Sequence, residues 1–257
     1  MTDNPFATDY VERDTFHDDF DIGDLKAAKP KSGVTYHTDI EQGSVEWLES
    51  RRGVLTASEM KLIVTPTLKP ASNEKERTHL FDLLAQRVTG HVEPTFQSYD
   101  MERGNFDEEH ARAKYSATYA PVTECGFITN DDLGFTIGYS PDGLVGDDGL
   151  IEIKSRLQKW QMQTLIEHVA TGTVPDDYMI QAQTALMVTR RKWLDFISYS
   201  GGMVMAVVRT EPIQKYQDAI AEAATAFEQR LSEKLKIYEE LLASDVRLVP
   251  TERLIYL

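Results

Sequence analysis

The order of hydrophobic periodicities predicts an α/β domain, a mixed sheet flanked by helices. Three observations carry this reading. Apolar residues recur at helical spacing over 76–89, 102–119 and 212–242. Short apolar runs bounded by turn residues recur at about 122–129, 134–139, 149–155, 193–200 and 203–210. Helices and strands alternate in blocks along one chain of 257 residues, long enough for a single large domain with its own core.

Taken in order, residues 1–40 are rich in Asp, with Pro5, Pro30 and Gly33, and show no helical or strand period. A disordered acidic tail is expected there, followed by one domain over 41–257. The alternative for the tail is a docking peptide anchored by Phe16, Phe20 and Ile22. Residues 44–52 read as a short helix with Trp47 and Leu48 as buried anchors. Thr56-Ala57-Ser58-Glu59 has the form of a capping box opening a helix through Val64. A loop with Pro66 and Pro70 precedes the helix 76–89, which turns Leu80, Leu83, Leu84 and Val88 to one face and is ended by Gly90. The helix 102–119 carries Phe106, Ala113 and Tyr115. After three strands come helices at 157–170 and 177–189, separated by Gly172 and Pro175, then a hairpin around Gly201-Gly202. The long C-terminal helix aligns Tyr216, Ile220, Phe227, Leu231, Leu235, Tyr238 and Leu242 along one stripe.

Composition excludes several function classes. No apolar run has the length to cross a bilayer, so no membrane partner is expected. The acidic N-terminus shows no secretory signal, and the single cysteine, Cys125, fits a reducing cytoplasm. One cysteine also excludes an intrachain disulfide and a cysteine-ligated iron–sulfur cluster. The six histidines show no zinc spacing. Gly138 and Gly143 have P-loop spacing, but Leu144 stands where a lysine is required, so no ATP site is expected. The net charge is −15; residues 1–50 hold 12 acids against 4 bases, and the remainder holds 30 against 23. Such acidity disfavours tight binding to the outside of a nucleic-acid duplex and favours a small contact zone or an enclosed channel.

The chemistry concentrates in Ser140-Pro141-Asp142-Gly143 and Glu152-Ile153-Lys154, a P-D-x9-E-x-K pattern. Asp147-Asp148-Gly149 signals a hairpin between strands near 135–139 and 150–154. Alternation puts Glu152 and Lys154 on one face and Ile151 and Ile153 on the other. The turn then returns Glu152 beside Asp142. Two carboxylates and an ammonium suit phosphodiester hydrolysis with Mg²⁺, a hard ion that takes oxygen ligands and keeps several waters. Asp142, Glu152 and the Ile153 carbonyl are the candidate ligands, and Mn²⁺ is expected to substitute. Lys154 would orient the attacking water or offset developing charge. The competing reading is a surface hairpin with solvated charges. Three more segments bear on the site. Glu108 on the helix 102–119 is a further candidate ligand. Arg51 precedes the start at Ser58, where a guanidinium, a hydroxyl and free N–H groups suit a phosphate. Gln181, in Tyr178-Met179-Ile180-Gln181-Ala182-Gln183, can face the site from its helix. For each, a plain polar surface position is the alternative.

Together these segments closely resemble the lambda-exonuclease family, the YqaJ-type viral recombinase nucleases of the PD-(D/E)xK superfamily. The matching stretches are Gln42-Gly43 with Trp47, Arg51 to Glu59, Arg103 to Tyr115, Ser140 to Lys154, and Tyr178 to Gln183 leading to Val188-Thr189-Arg190. The resemblance implies a restriction-endonuclease-like core, a mixed sheet of about five strands flanked by helices. It implies Mg²⁺-dependent 5′→3′ digestion of one strand of linear duplex DNA, leaving a 3′ overhang for a single-strand-annealing protein. On it Asp142 and Glu152 bind metal, Lys154 activates water, and Glu108 and Gln181 complete the site. Arg51 and Ser58 bind the 5′-terminal phosphate, with Ser140 at the edge of the DNA site. A ring trimer is implied as well, which would enclose DNA and move along it without a motor. Two alternatives stay open: a restriction-type or structure-selective endonuclease on the same site, and a non-catalytic protein that binds DNA ends.

Overall fold

The computed structural model describes residues 33–93 and 99–253. Among the described residues eight strands form two four-stranded sheets. The first has the order β1 (Val34–His37), β3 (Phe127–Asn130), β4 (Ile137–Tyr139), β2 (Leu55–Thr56); β2 and β4 are parallel and the other pairs antiparallel. The second runs β5 (Gly143–Val145), β6 (Gly149–Ser155), β7 (Trp193–Tyr199), β8 (Ala206–Thr210), with β6 and β7 parallel. A parallel pair needs a crossover. Here it holds α5 (Gln158–Gln163), a π-helical turn Thr164–His168, a 3₁₀ turn Val169–Thr171 and α6 (Asp176–Thr189).

The α/β class and the flanking helices are as the sequence predicts; the strand pairing differs. The expected hairpin of 135–139 with 150–154 does not form. The partner of β6 is β5, a three-residue strand too short to show a period, while β4 belongs to the other sheet. Eight strands in two sheets replace about five in one for the same reason: β1, β2 and β5 carry no readable alternation. The β1 strand lies inside the stretch expected to be tail, paired with β3 from Val34↔Asn130 to His37↔Phe127. Residues 1–32 lie outside the described residues.

Alternation along β6 positions the site. Ile151 and Ile153 face a small core with Val145, Ile197, and Ala111 and Tyr115 of α4 (Tyr99–Thr118). Leu150 faces the larger core, where β7 adds Leu194 and Phe196 and α6 adds Ala182, Ala185 and Leu186. Glu152 shares Leu150's face, so its carboxylate points into the protein rather than away from it. This main core continues through α2 (Met60–Ile63), α3 (Glu74–Thr89) and α7 (Gln214–Leu242), with Met60, Leu83, Ile220 and Phe227 buried. Gly90 ends α3 in the left-handed conformation, matching the sequence signal, while Asn73 caps its start and brings it to Glu74, ahead of the expected 76.

Three local expectations change. In α1 (Val45–Arg51), Trp47 is half-buried and Leu48 is exposed, because the helix lies on the surface over β3 and β4. The capping box forms only by half: the Glu59 carboxylate accepts from Thr56 N at 3.1 Å, but α2 starts at Met60 because residues 55–56 are held in the sheet by β4. The α7 stripe packs from Tyr216 to Leu235 and then leaves the core, with Tyr238 and Leu242 exposed. Among the described residues no helix is long and apolar enough to cross a membrane.

Candidate active site

The chain leaves the first sheet at Tyr139 and enters the second at Gly143, and Asp142 lies in that short link. Its Oδ2 accepts from the backbone N of Ile153 at 2.5 Å, so Asp142 takes up the edge of β6 where the shorter β5 has already ended. Two residues of β6 face the link. Glu152 is 1% exposed, and burying a lone carboxylate costs several kcal/mol. Three donors offset that cost: Tyr139 Oη at 2.7 Å, Lys154 Nζ at 2.6 Å and Gln181 Nε2 at 2.5 Å. Asp142, Glu152, Lys154 and Gln181 therefore come together, from a link, a strand and a helix.

Glu108 reaches the same place from α4, tied to Arg112 one turn on. Arg112 also donates through Nε to the Asp142 carbonyl at 2.7 Å, so one guanidinium joins the helix to the link. The electrostatics register the crowding. Burial, then the charges of Glu152 and Glu108, push the Asp142 carboxyl well above the ordinary carboxylate range. Glu108 is raised too, chiefly by burial and despite Arg112. Lys154 is raised although burial opposes it, because Glu152 and Asp142 hold its proton. Tyr139 is raised by burial and by the surrounding carboxylates, so its hydroxyl remains a donor.

A second focus lies one residue before Pro141. Ser140 Oγ accepts from Arg51 Nη1 at 2.8 Å and from Trp47 Nε1 at 2.9 Å, and the Arg51 guanidinium stacks 4.4 Å from the Trp47 ring centre. Burial lowers the Arg51 pKa from its ordinary value. Ser58 is exposed at the end of β2, its hydroxyl 3.3 Å from that of Thr56. The same strand end is fixed to β4 by Ala57 N donating to Gly138 O at 2.8 Å. Gln42 closes this side, donating to the carbonyls of Cys125 and Pro141. A cavity of about 680 Å³ opens here, bounded by Gln42, Trp47, Asn105, Glu108, Arg112 and Pro141.

The family model for the YqaJ-like viral recombinase domain matches residues 46–192, more than half of the chain. The chain belongs to the YqaJ-like viral recombinase family. The fold is similar to the crystal structure of an alkaline exonuclease, LHK-Exo, from Laribacter hongkongensis, at 31% identity and TM-score 0.68, covering 78% of this chain and 98% of that one. A structure of LHK-Exo in complex with dAMP matches equally, with 31% identity and TM-score 0.67 over 78% and 98% of the two chains. A phage-related exonuclease from Haemophilus somnus 129PT shares the fold at 13% identity and TM-score 0.50, over 73% of this chain and 96% of that one. No curated protein matches the sequence.

The YqaJ match spans the candidate site from Trp47 to Gln181. Tyr139 and Arg112 join the site beyond the residues the sequence points to, each touching one of its carboxylates or carbonyls. For Arg112 a signal existed: it stands four residues after Glu108 on a helix, the spacing of an ion pair. For Tyr139 there was none, because the contact joins two sheets. Gln181 and Gln183 part ways. Gln183 is buried and ties α6 to the start of α7, accepting from Ile213 N at 2.8 Å and donating to Glu211 O at 2.8 Å.

The residues present fit a hard divalent ion. Among the described residues no three of His, Cys, Asp and Glu are grouped closely enough to hold an ion by themselves. Mg²⁺ does not need such a cage, because it keeps several waters and takes one or two carboxylates. Asp142 and Glu108 are raised partly by neighbouring negative charge, which a cation would relieve. The N–H and C=O of a strand residue leave on the same side, so the Ile153 carbonyl shares the edge that Asp142 occupies.

Proposed function

We propose that this YqaJ-family chain is a Mg²⁺-dependent exonuclease that digests one strand of linear double-stranded DNA in the 5′→3′ direction. The 3′ overhang so produced is the substrate of a single-strand-annealing partner, and a ring trimer is the assembly that would enclose the duplex. One observation supports the reading above the others: Asp142, Glu152 and Lys154 meet at the edge of β6 with Gln181 and Glu108 around them.

In this reading Asp142, Glu152, the Ile153 carbonyl and Glu108 hold the metal, with Mn²⁺ able to replace Mg²⁺. The ion supplies polarisation of the scissile phosphate and a bound water of lowered pKa. Lys154 keeps its proton, held by Glu152 and Asp142, so it serves as a hydrogen-bond donor and positive charge toward water and phosphate. Gln181 and Tyr139 hold the Glu152 carboxylate in place from opposite sides, which fixes both of its oxygens. Arg51, braced by Ser140 and the Trp47 ring, faces the 5′-terminal phosphate together with Ser58. A pocket for a terminal phosphate favours an exonuclease over an endonuclease.

The test is incubation of end-labelled linear duplex with Mg²⁺, beside covalently closed DNA and a 5′-hydroxyl duplex. Loss of the 5′ label first, on linear DNA only and fastest with a 5′-phosphate, is the expected result. Cutting of closed circles would return the assignment to an endonuclease. No cleavage with either metal would leave only a DNA-end-binding role.

A further inference from the structure

A second cavity, of about 330 Å³, adjoins the site beyond the end of β6, with Arg103, Arg156, Trp160, Gln163, Asp177 and Tyr178 in its wall. It shares the Tyr178 ring with the site: Lys154 Nζ lies 5.7 Å from the ring centre and the Arg156 guanidinium 5.2 Å. Arg156 is incompletely satisfied. It donates through Nη1 to the Tyr178 hydroxyl, but its Nε is buried with no hydrogen-bond partner, and no carboxylate pairs with it among the described residues. An orphaned buried donor on a cation is an uncommon arrangement that calls for an acceptor. Arg103 stands beside it, its Nε donating to Ser155 Oγ at 3.2 Å. Among the described residues the wall holds one acid, Asp177, and it is exposed.

The other half of the cavity is aromatic. Trp160 is 45% exposed although it sits on a helix pinned to the sheet. The pin is Gln161, fully buried, donating to the carbonyls of Ser198 at 3.1 Å and Val204 at 2.8 Å. Consecutive helical residues point about 100° apart, so fixing Gln161 inward holds Trp160 outward. The helix continues as a π-turn, Thr164–His168, an irregularity found often at functional sites.

We infer that this cavity is a subsite for one nucleotide of single-stranded DNA, with its phosphate on Arg156 and Arg103 and its base stacked on Trp160. The inference rests on the nuclease reading and adds to it. The two cavities flank the Asp142–Glu152–Lys154 group, one beside Glu108 and Arg51's neighbours, the other beside Lys154. A strand whose end lies at Arg51 and Ser140 would cross the group and place a following nucleotide against Trp160. That base must be unpaired to stack, so the strand would be separated from its complement by this point. Base–aromatic stacking is tolerant of sequence, as a processive enzyme requires.

The probe is a 5′-phosphorylated oligodeoxynucleotide, measured by fluorescence anisotropy with Ca²⁺ in place of Mg²⁺, against the same oligomer carrying a single abasic position scanned along its first nucleotides. Wild type should lose roughly tenfold in affinity at one abasic position. Trp160→Ala should show the same loss with the intact oligomer and none in addition at that position, while Trp160→Phe stays near wild type. Arg156→Gln should make the slope of log K against log salt shallower by about 0.7, one phosphate contact on a single strand. Equal affinities of wild type and Trp160→Ala for intact DNA, with an unchanged salt slope in Arg156→Gln, would overturn the subsite while wild-type cleavage left the nuclease reading standing. A wild type that neither binds nor cleaves DNA would overturn both.

Discussion

Tyr139 and Glu152 join the two sheets: the phenol at the end of β4 donates 2.7 Å to a carboxylate in the middle of β6. Both groups are buried, and the bond is charge-assisted. Tyr139→Phe keeps the ring and removes the donor. The expected cost is about 1.5–3 kcal/mol in urea unfolding of the metal-free protein, with a further loss of turnover as Glu152 gains freedom. Unchanged stability would mean that Glu152 recruits another donor.

Asp142→Asn, Glu152→Gln and Lys154→Ala should each lower turnover by at least roughly a hundredfold, the scale for losing a group that acts on developing charge. Circular dichroism should report an intact fold for Asp142→Asn, because the amide oxygen can still accept from Ile153 N. Near-normal turnover of the Glu152 variant would remove it from the proposed metal site.

The pH dependence follows from Asp142 and Glu108. Both carboxyls are raised in the folded protein, so between the unfolded and folded values the native state holds more protons. Stability contributed by these groups is therefore present at low pH and is lost as pH rises from about 4 through the folded values. In EDTA the Tm of Asp142→Asn relative to wild type should climb over this window. Mg²⁺ should restore the wild type toward the top of it. A Tm difference that stays flat with pH would contradict the assignment.

Arg51→Ala should slow digestion of 5′-phosphorylated ends by about tenfold or more and of 5′-hydroxyl ends by less, since a guanidinium makes its strongest bonds to a dianionic terminus. Steady-state rates at fixed salt on the two substrates check this. Equal losses would mean a contact with the general backbone.

Gly53 follows the Arg51 helix with φ +66°, and a Cβ there would stand 2.6 Å from Arg87 Cγ. Arg87 is not free to yield: it donates to Gly53 O at 2.8 Å and pairs with Glu228 of α7. Gly53→Ala should cost about 1–3 kcal/mol in thermal or urea unfolding. It should also carry the Arg51 phenotype, because Val54 N bonds the Arg51 carbonyl across this turn.

What depends on local spacing is legible along the chain. Period 2 along 149–155 puts Glu152 and Lys154 on one face, and Gly90 marks the end of α3. The resemblance to the YqaJ-type family marks Asp142, Glu152, Lys154, Glu108 and Gln181 as one group, where Glu108 or Gln181 alone reads equally as a polar surface position. Contacts between elements distant in the chain emerge with the fold. It assigned β5 rather than β4 to β6, moved Val34–His37 from the expected tail into a sheet, and set Tyr139 under Glu152 and Arg112 on the Asp142 carbonyl. Strands of two to four residues carry too few side chains to display a period. A hydrogen bond between sheets leaves no trace in local sequence, because its two partners obey separate local rules and meet only when the core closes.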